Sequence, residues 1–344
     1  MADGTKIEWA DATWQIVTGC SVVSPGCTNC YAMRLAGTRL KHHPSREGLT
    51  RDSKAGPVWT GEVRFNEQWL DQPVRWKAPR MIFVAAHGDL FAEGVTDEQL
   101  DQIFAVMAFC SWHIFQVLTK RPERMQGYLL GRRARAGRTL RNVWLGVSVE
   151  DQPRAEARIP LLLDTPAAIR WISAEPLLGL IDLSTAWHGD TALDPECWGD
   201  CAWCKKGHPP LYNCQRGLGD WEKGRSGLDW AVAGGESGPG ARPMHPDWAR
   251  SLRDQCAEAG IPFLFKQWGN WQVACEANGH LDHDMARNDA HWIDIDGSRH
   301  KPSSTGLIQP FAMHRADKKI AGRLLDGVEH NGFPPLPDHF TESR

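Results

Sequence analysis

Cys20, Cys27 and Cys30 stand within eleven residues of one another, in the stretch GCSVVSPGCTNCY that spans 19–31. Their spacing is C-x6-C-x2-C, directly after the apolar residues Trp14, Ile16 and Val17. Two intervening residues on a tight loop let the sulfurs of Cys27 and Cys30 face one metal centre, and Pro25-Gly26 supplies the bend that returns Cys20 to the same point. Three thiols are one short of a closed four-cysteine zinc site and odd in number for disulfides. They suit a cluster that keeps one position open. A four-iron, four-sulfur (4Fe-4S) cluster held by three thiolates leaves its fourth iron free to bind a small molecule. The competing reading is zinc completed by a distant residue, for which His42 and His43 are candidates.

A second group, Cys197, Cys201, Cys204 and Cys214, with His208 between, is spaced C-x3-C-x2-C-x9-C. Four thiolates satisfy a tetrahedral zinc ion, and a metal would order a segment that cannot build a core. An auxiliary iron–sulfur cluster is the rival here. Cys110, Cys256 and Cys275 stand alone and read as small buried apolar residues. Ten cysteines without a signal-like apolar N-terminus point to a reducing cytoplasm, and no apolar run approaches the length of a membrane span.

The net charge of −3 over 344 residues selects no class of partner. Local charge is less even. Lys120 to Arg141 holds eight basic residues against one acid, Glu123, and a second basic region runs from Arg39 to Lys54. Such clusters can track phosphates, although a solvated helix face or a loop is their commoner explanation.

The elements that must position these groups follow a rhythm. Short apolar runs end in polar residues and are followed by helical patterns: Trp14–Thr18, Met81–Ala86, His113–Leu118, Val143–Val147, Ala168–Ile172, Leu228–Ala233 and Ile261–Phe265. Continuous apolar runs of this length between helices indicate buried parallel strands. Seven βα-like units with polar residues after nearly every strand predict an α/β fold, a full or partial (β/α) TIM-like barrel with its site at the C-terminal ends of the strands. A doubly wound sheet would gather its ligands at one switch point instead. The expected organisation is a barrel over 1–270 carrying the cysteine loop at 19–31, a Cys-rich insertion at 180–227, and a C-terminal extension over 271–344. Helices are predicted for Tyr31 to Leu40 and Ala316 to Leu325, a strand for His291 to Asp296, a loop for His42 to Pro57, and an extended ending at Phe333–Pro337.

Barrel and open cysteine site together resemble the radical S-adenosylmethionine (SAM) enzymes. More closely, IEWADATW, TGCSVVSPGCTNCYA, DLF, LTKRPERM, NVWLGVSVEDQ, SAEPLLG, GGESGPGARPMHPDW and PFLFKQWG look like a family of bacteriophage and bacterial proteins with the same three-cysteine loop, over roughly residues 6–270 apart from the insertion. The radical-SAM resemblance implies a barrel of that type. It also implies a cluster whose free iron binds the amino and carboxylate groups of SAM, and an external electron donor such as flavodoxin or ferredoxin. Reductive cleavage of SAM then gives a 5′-deoxyadenosyl radical that abstracts hydrogen from a substrate. Two features depart from the common pattern: the first gap is six rather than three, and Asn29 stands where an aromatic usually precedes the third cysteine, with Tyr31 after it.

On that resemblance, Tyr31, Asp89, Lys120, Ser148, Glu150, Ser173, Glu175, Gly234, Gly235 and Glu236 are the expected SAM-binding residues. Asp89 would accept from the methionyl ammonium, Lys120 or Arg121 would meet the carboxylate, Ser148 and Glu150 the ribose, and Ser173 and Glu175 the adenine or substrate. The glycines of Gly234-Gly235-Glu236 let a backbone approach a ligand closely. Arg121, Arg242 and Lys266 would face an anionic part of the substrate, for which a nucleic-acid base or modified nucleotide is the expectation. Each polar residue serves equally well as a turn or helix cap. The alternative function is a zinc-stabilised nucleic-acid-binding protein without redox chemistry.

Overall fold

The computed structural model describes residues 4–5, 7–137, 139–186, 191–193, 227–274, 291–300 and 311–341. Seven parallel strands form one sheet in sequence order: β1 (Ala12–Trp14), β2 (Met81–Val84), β3 (Ile114–Thr119), β4 (Val143–Ser148), β5 (Ile169–Ala174), β6 (Trp230–Gly234) and β7 (Phe263–Gln267). The sheet curls into a half-barrel, because strands added always on the same side and joined by crossovers on the same face accumulate twist in one sense. Between β1 and β7 no ladder forms among the described residues.

Helices α2 (Asp97–Phe109), α3 (Pro122–Ala136), α4 (Gln152–Leu163) and α5 (Pro246–Glu258) cover the convex face, while α1 (Tyr31–Gly37), after the cysteine loop, packs on Leu49 and Trp59 in a small cluster of its own. Their starts are written locally. Thr96 and Gln99 make a reciprocal capping box on α2, Asp151 accepts from the Arg154 amide on α4, and His245 Nδ1 accepts from the Asp247 amide on α5. The caps are therefore Thr96, Asp151 and His245, and Glu150 is left for other work.

Strand alternation separates two cores. Val143, Leu145 and Val147 of β4 point outward with Ile82, Val117, Ile172 and Phe265 against the helices, all at most 3% exposed. The concave face holds Met81, Phe83, Ile114, Trp144, Trp171, Trp230 and Leu264. Gly146 makes this possible, since a Cβ there would lie 2.5 Å from the Trp171 ring. Trp9 closes edge-on against Trp171 with ring centroids 5.2 Å apart, and Trp171 stacks obliquely on Trp230 at 5.1 Å.

The C-terminal segment packs into this core. Phe265 N donates to His330 O, Gly332 N donates to Phe263 O, and Leu264 bridges Asn331 in antiparallel sense. Gly332 is required, because a Cβ would lie 2.6 Å from Phe263 N. Phe333 then stacks on Trp230 at 4.7 Å, and Phe340, 1% exposed, joins the tryptophan cluster.

Several local expectations need correction. The first strand ends at Trp14, and Val17–Thr18 turns away to pair with Arg64–Phe65. Within the expected loop at 42–57, Thr50–Arg51 pairs with Val58–Trp59. The helix expected over 316–325 shrinks to Lys318–Ala321, because Gly322 takes φ +70° and Leu324–Leu325 pairs with Val328–Glu329. Ile181, Leu183, Ala186 and Ala192, inside the expected insertion, belong to the main core, and Leu228 N donates to Ala192 O where the chain returns. Cys110 and Cys256 are buried as expected, whereas Cys275 lies outside the described residues. Among the described residues no helix is long and apolar enough to cross a membrane.

Candidate active site at the barrel mouth

The cysteine loop lies over the C-terminal ends of the strands. Two glycines admit it: Gly19 has φ +92°, a Cβ on it would lie 2.3 Å from Glu62 O, and a Cβ on its bridge partner Gly88 would lie 2.9 Å from Val17 O. A single 3-10 turn, Pro25–Cys27, then sets the second and third thiols: Cys27 N donates to Ser24 O, and Cys30 N to Cys27 O. Cys30 is the residue before α1, and the Ala32 and Met33 amides face its sulfur. Cys27 is buried and lies close enough to both Cys20 and Cys30 to disfavour a second thiolate on either, so the three thiols share one neighbourhood. Burial pushes the Cys30 thiol up, and burial together with Asp89 pushes Cys20 up to about 12 against the pull of Arg121. Among the described residues no group of three His, Cys, Asp or Glu side chains is arranged to hold a single metal ion.

Three of the carboxylates expected to touch SAM, Asp89, Glu150 and Glu236, are engaged with the loop or with the side chains that hold it. Asp89 is 6% exposed and accepts four hydrogen bonds, from the Phe91 amide, Thr119 Oγ1, the Lys120 amide and Arg121. Glu150, 1% exposed, accepts from the Gly26 amide at 3.2 Å and from Arg158 at 2.9 Å. Burial alone would raise its pKa, but Lys120, Arg158, Ser24 and the Gly26 amide hold it below the ordinary carboxylate value. Glu236 accepts from Asn29 Nδ2 and is gripped by Arg242 through Nε and a second nitrogen, while Arg242 also reaches Pro25 O at 3.0 Å. Asn29, at the position of the missing aromatic, is thus a tether between the loop and the residues after β6.

The cations divide in the same way. Arg121 is nearly buried against Asp89, Glu93, Ser21 and Cys20. Lys266 is paired with Glu175 at 2.8 Å, both about four-fifths buried. The Gly234-Gly235 backbone does make a close approach, but to protein: a Cβ on Gly235 would lie 2.1 Å from Trp268 O.

Three polar side chains are left in a row along the concave face, Ser148 and Ser173 both buried. Ser148 pairs in register with Ser173, and Lys120 follows Thr119, whose partner is Val147, so Lys120 stands level with Ser148. Among the described residues the Lys120 ammonium and the two hydroxyls have no hydrogen-bond partner, while the field of Lys120 reaches both Cys30 and Glu150. Directly beneath lie Trp144, Trp171 and Trp230. Tyr31 closes one side, its hydroxyl donating to Ala86 O at 2.5 Å and its ring half exposed.

Ser21, Glu93, Asn29 and Arg158 were not anticipated. Asn29 alone had a sequence signal, the departure from the usual aromatic. Cys197, Cys201, Cys204 and Cys214 lie outside the described residues. The basic run 120–141 is largely α3, where Arg124 and Arg135 pair with Asp97 and Asp101 of α2 and Arg132 lies over Phe104.

Among known proteins, a family model described as "Protein of unknown function (DUF5131)" matches residues 4–334. No curated protein matches the chain, and no solved structure does.

Proposed function

We propose, for a chain that belongs to this family of unknown function, that it is a radical SAM enzyme in which Cys20, Cys27 and Cys30 hold a 4Fe-4S cluster. The observation that carries the reading is the division of labour at the mouth: the carboxylates around the cysteine loop are engaged in holding it, while among the described residues the Lys120 ammonium, whose field reaches Cys30 and Glu150, and the Ser148 and Ser173 hydroxyls make no hydrogen bond to protein. Three thiols on one loop, one of them facing helix amides, are one short of a closed zinc site and suit a polynuclear cluster with an open iron. When bound, the cluster supplies the electron for reductive cleavage of SAM, and the resulting radical takes hydrogen from the substrate.

The chain's own residues supply the rest. Lys120 pairs with the methionyl carboxylate, a compact charge at the end of β3 whose field also reaches Glu150, itself paired with Arg158. Ser148 and Ser173 hydrogen-bond the ribose hydroxyls, and the exposed ring face of Tyr31 packs on the adenine. The tryptophan layer closes the floor and excludes water from below. Glu175 and Lys266 stand at the ends of β5 and β7, where they meet polar groups of the substrate. A nucleobase or modified nucleotide suits the exposed Arg39, Arg51 and Lys54 that border α1, and DNA modification is the reaction context. An external flavodoxin or ferredoxin of the cytoplasm serves as electron donor. Cys197, Cys201, Cys204 and Cys214 bind structural zinc. The rival reading, a zinc-stabilised nucleic-acid binder, draws on the arginines of α3, and Arg124, Arg132 and Arg135 are turned onto α2.

Anaerobic reconstitution with iron and sulfide is expected to give a brown protein whose visible absorption is lost in Cys27→Ala. With dithionite and SAM it is expected to release 5′-deoxyadenosine. A colourless protein carrying only zinc after reconstitution overturns the proposal.

A further inference from the structure

The first cysteine poses a problem that the other two do not. Cys27 and Cys30 are fixed by the backbone of one 3-10 turn and the start of α1. Cys20 is separated from that turn by an excursion in which Val22 and Val23 are 48% and 42% exposed, and within its own loop its sulfur hydrogen-bonds only to Ser21 O, 3.4 Å away. A thiolate on so long a tether pays conformational entropy whenever it is brought to a shared metal centre. Something outside the loop has to hold it.

Resting on the reading above, we infer that Arg121 is the positioning residue for the Cys20 thiolate and the charge that tunes the cluster through it. One guanidinium nitrogen donates to Cys20 Sγ at 3.5 Å and to Asp89 at 2.9 Å. A second donates to Ser21 Oγ at 2.6 Å, and Nε donates to Glu93 at 2.9 Å. The planar fork therefore grips the side chain after the cysteine as well as the sulfur itself, a geometry that lysine's single ammonium cannot reproduce. Asp89 fixes the fork from behind. It is anchored in turn by Thr119 and by the Phe91 and Lys120 amides, so the end of β3 sets where Cys20 sits. A cation donating to a cluster sulfur stabilises the reduced, more negative state and raises the potential.

The test compares wild type, Arg121→Gln, Arg121→Lys and Ser21→Ala after anaerobic reconstitution. It reads iron per chain, the rate of cluster loss to a chelator, and the midpoint potential. Melting of the cluster-free proteins runs alongside. Arg121→Gln is expected to lose its cluster several-fold faster than wild type and to shift to a more negative potential. Arg121→Lys is expected to keep most of the potential while losing the cluster faster, because charge remains and the fork does not. Ser21→Ala leaves every Arg121 partner but one, so it keeps the fold and is expected to speed cluster loss alone. Should Arg121→Gln not fold, faster loss in Arg121→Lys and Ser21→Ala with unchanged melting still supports the assignment. If the folded Arg121 variants match wild type in both loss rate and potential, the inference falls while the proposed function stands. A wild-type chain that takes up no iron–sulfur cluster removes the proposed function itself.

Discussion

Arg46 can only donate, so the His87 Nδ1 that it meets at 2.8 Å must accept, and the ring is neutral. Burial, with the Arg46 charge adding to it, lowers the His87 pKa to about 4. The folded chain therefore binds fewer protons than the unfolded chain between that value and the ordinary histidine pKa of about 6.5. The sign follows: His87 contributes its full stability above about pH 6.5, and the contribution declines as pH falls toward 4. Melting followed against pH is expected to show this decline in wild type and a flatter profile in His87→Gln. At the same scale, the cysteines were legible because spacing alone brings Cys27 and Cys30 together. Asp89, Glu150 and Glu236 follow strands in the sequence, but the contacts they make were hidden. The contacts that define it join Glu150 to Gly26 and Glu236 to Asn29, pairs 124 and 207 positions apart in sequence. A carboxylate after a strand reads the same whether it awaits a ligand or grips a distant amide.

Strands and helices were easier to read than side-chain roles. Six of the seven sheet strands fall within a residue or two of continuous apolar runs, because a strand buried on both faces needs no alternation. The first does not: its apolar run continues past Trp14, while the chain turns out of the sheet to pair with Arg64–Phe65. The packing of the tail was hidden for a related reason. Its Pro-rich stretch at 333–337 forms neither helix nor strand, in keeping with an extended ending, but Phe333 and Phe340 pack into the concave tryptophan cluster. Isolated aromatics give no periodicity from which to infer a partner. Phe340→Ala is expected to destabilise the fold by about 3–5 kcal/mol, as for other buried aromatics cut to alanine, measured by denaturant unfolding. A change below about 0.5 kcal/mol would mean that the segment does not occupy the barrel in solution.

Across the whole molecule, one loop is tied to the ends of three different strands: through Asp89 and Arg121 to β2 and β3, and through Glu150 to β4. Glu236 and Arg242, beyond β6, add a further tie. Such a loop moves only when the barrel does. Glu236→Gln breaks the buried pair with Arg242 and weakens the Asn29 contact, which is expected to cost about 3–5 kcal/mol. Hydrogen exchange should then quicken at the amides of Cys27 and Cys30 before it quickens in β3 or β4. Uniform acceleration through the sheet would show that the tie supports the barrel rather than the loop. The segment around residues 330–340 adds a consequence of order. During synthesis all seven strands leave the ribosome before the residues that pack beneath them, so a nascent chain arrested ahead of that segment presents wet tryptophans to any chaperone within reach. Closure of the barrel floor then waits on a segment translated after every strand that it covers.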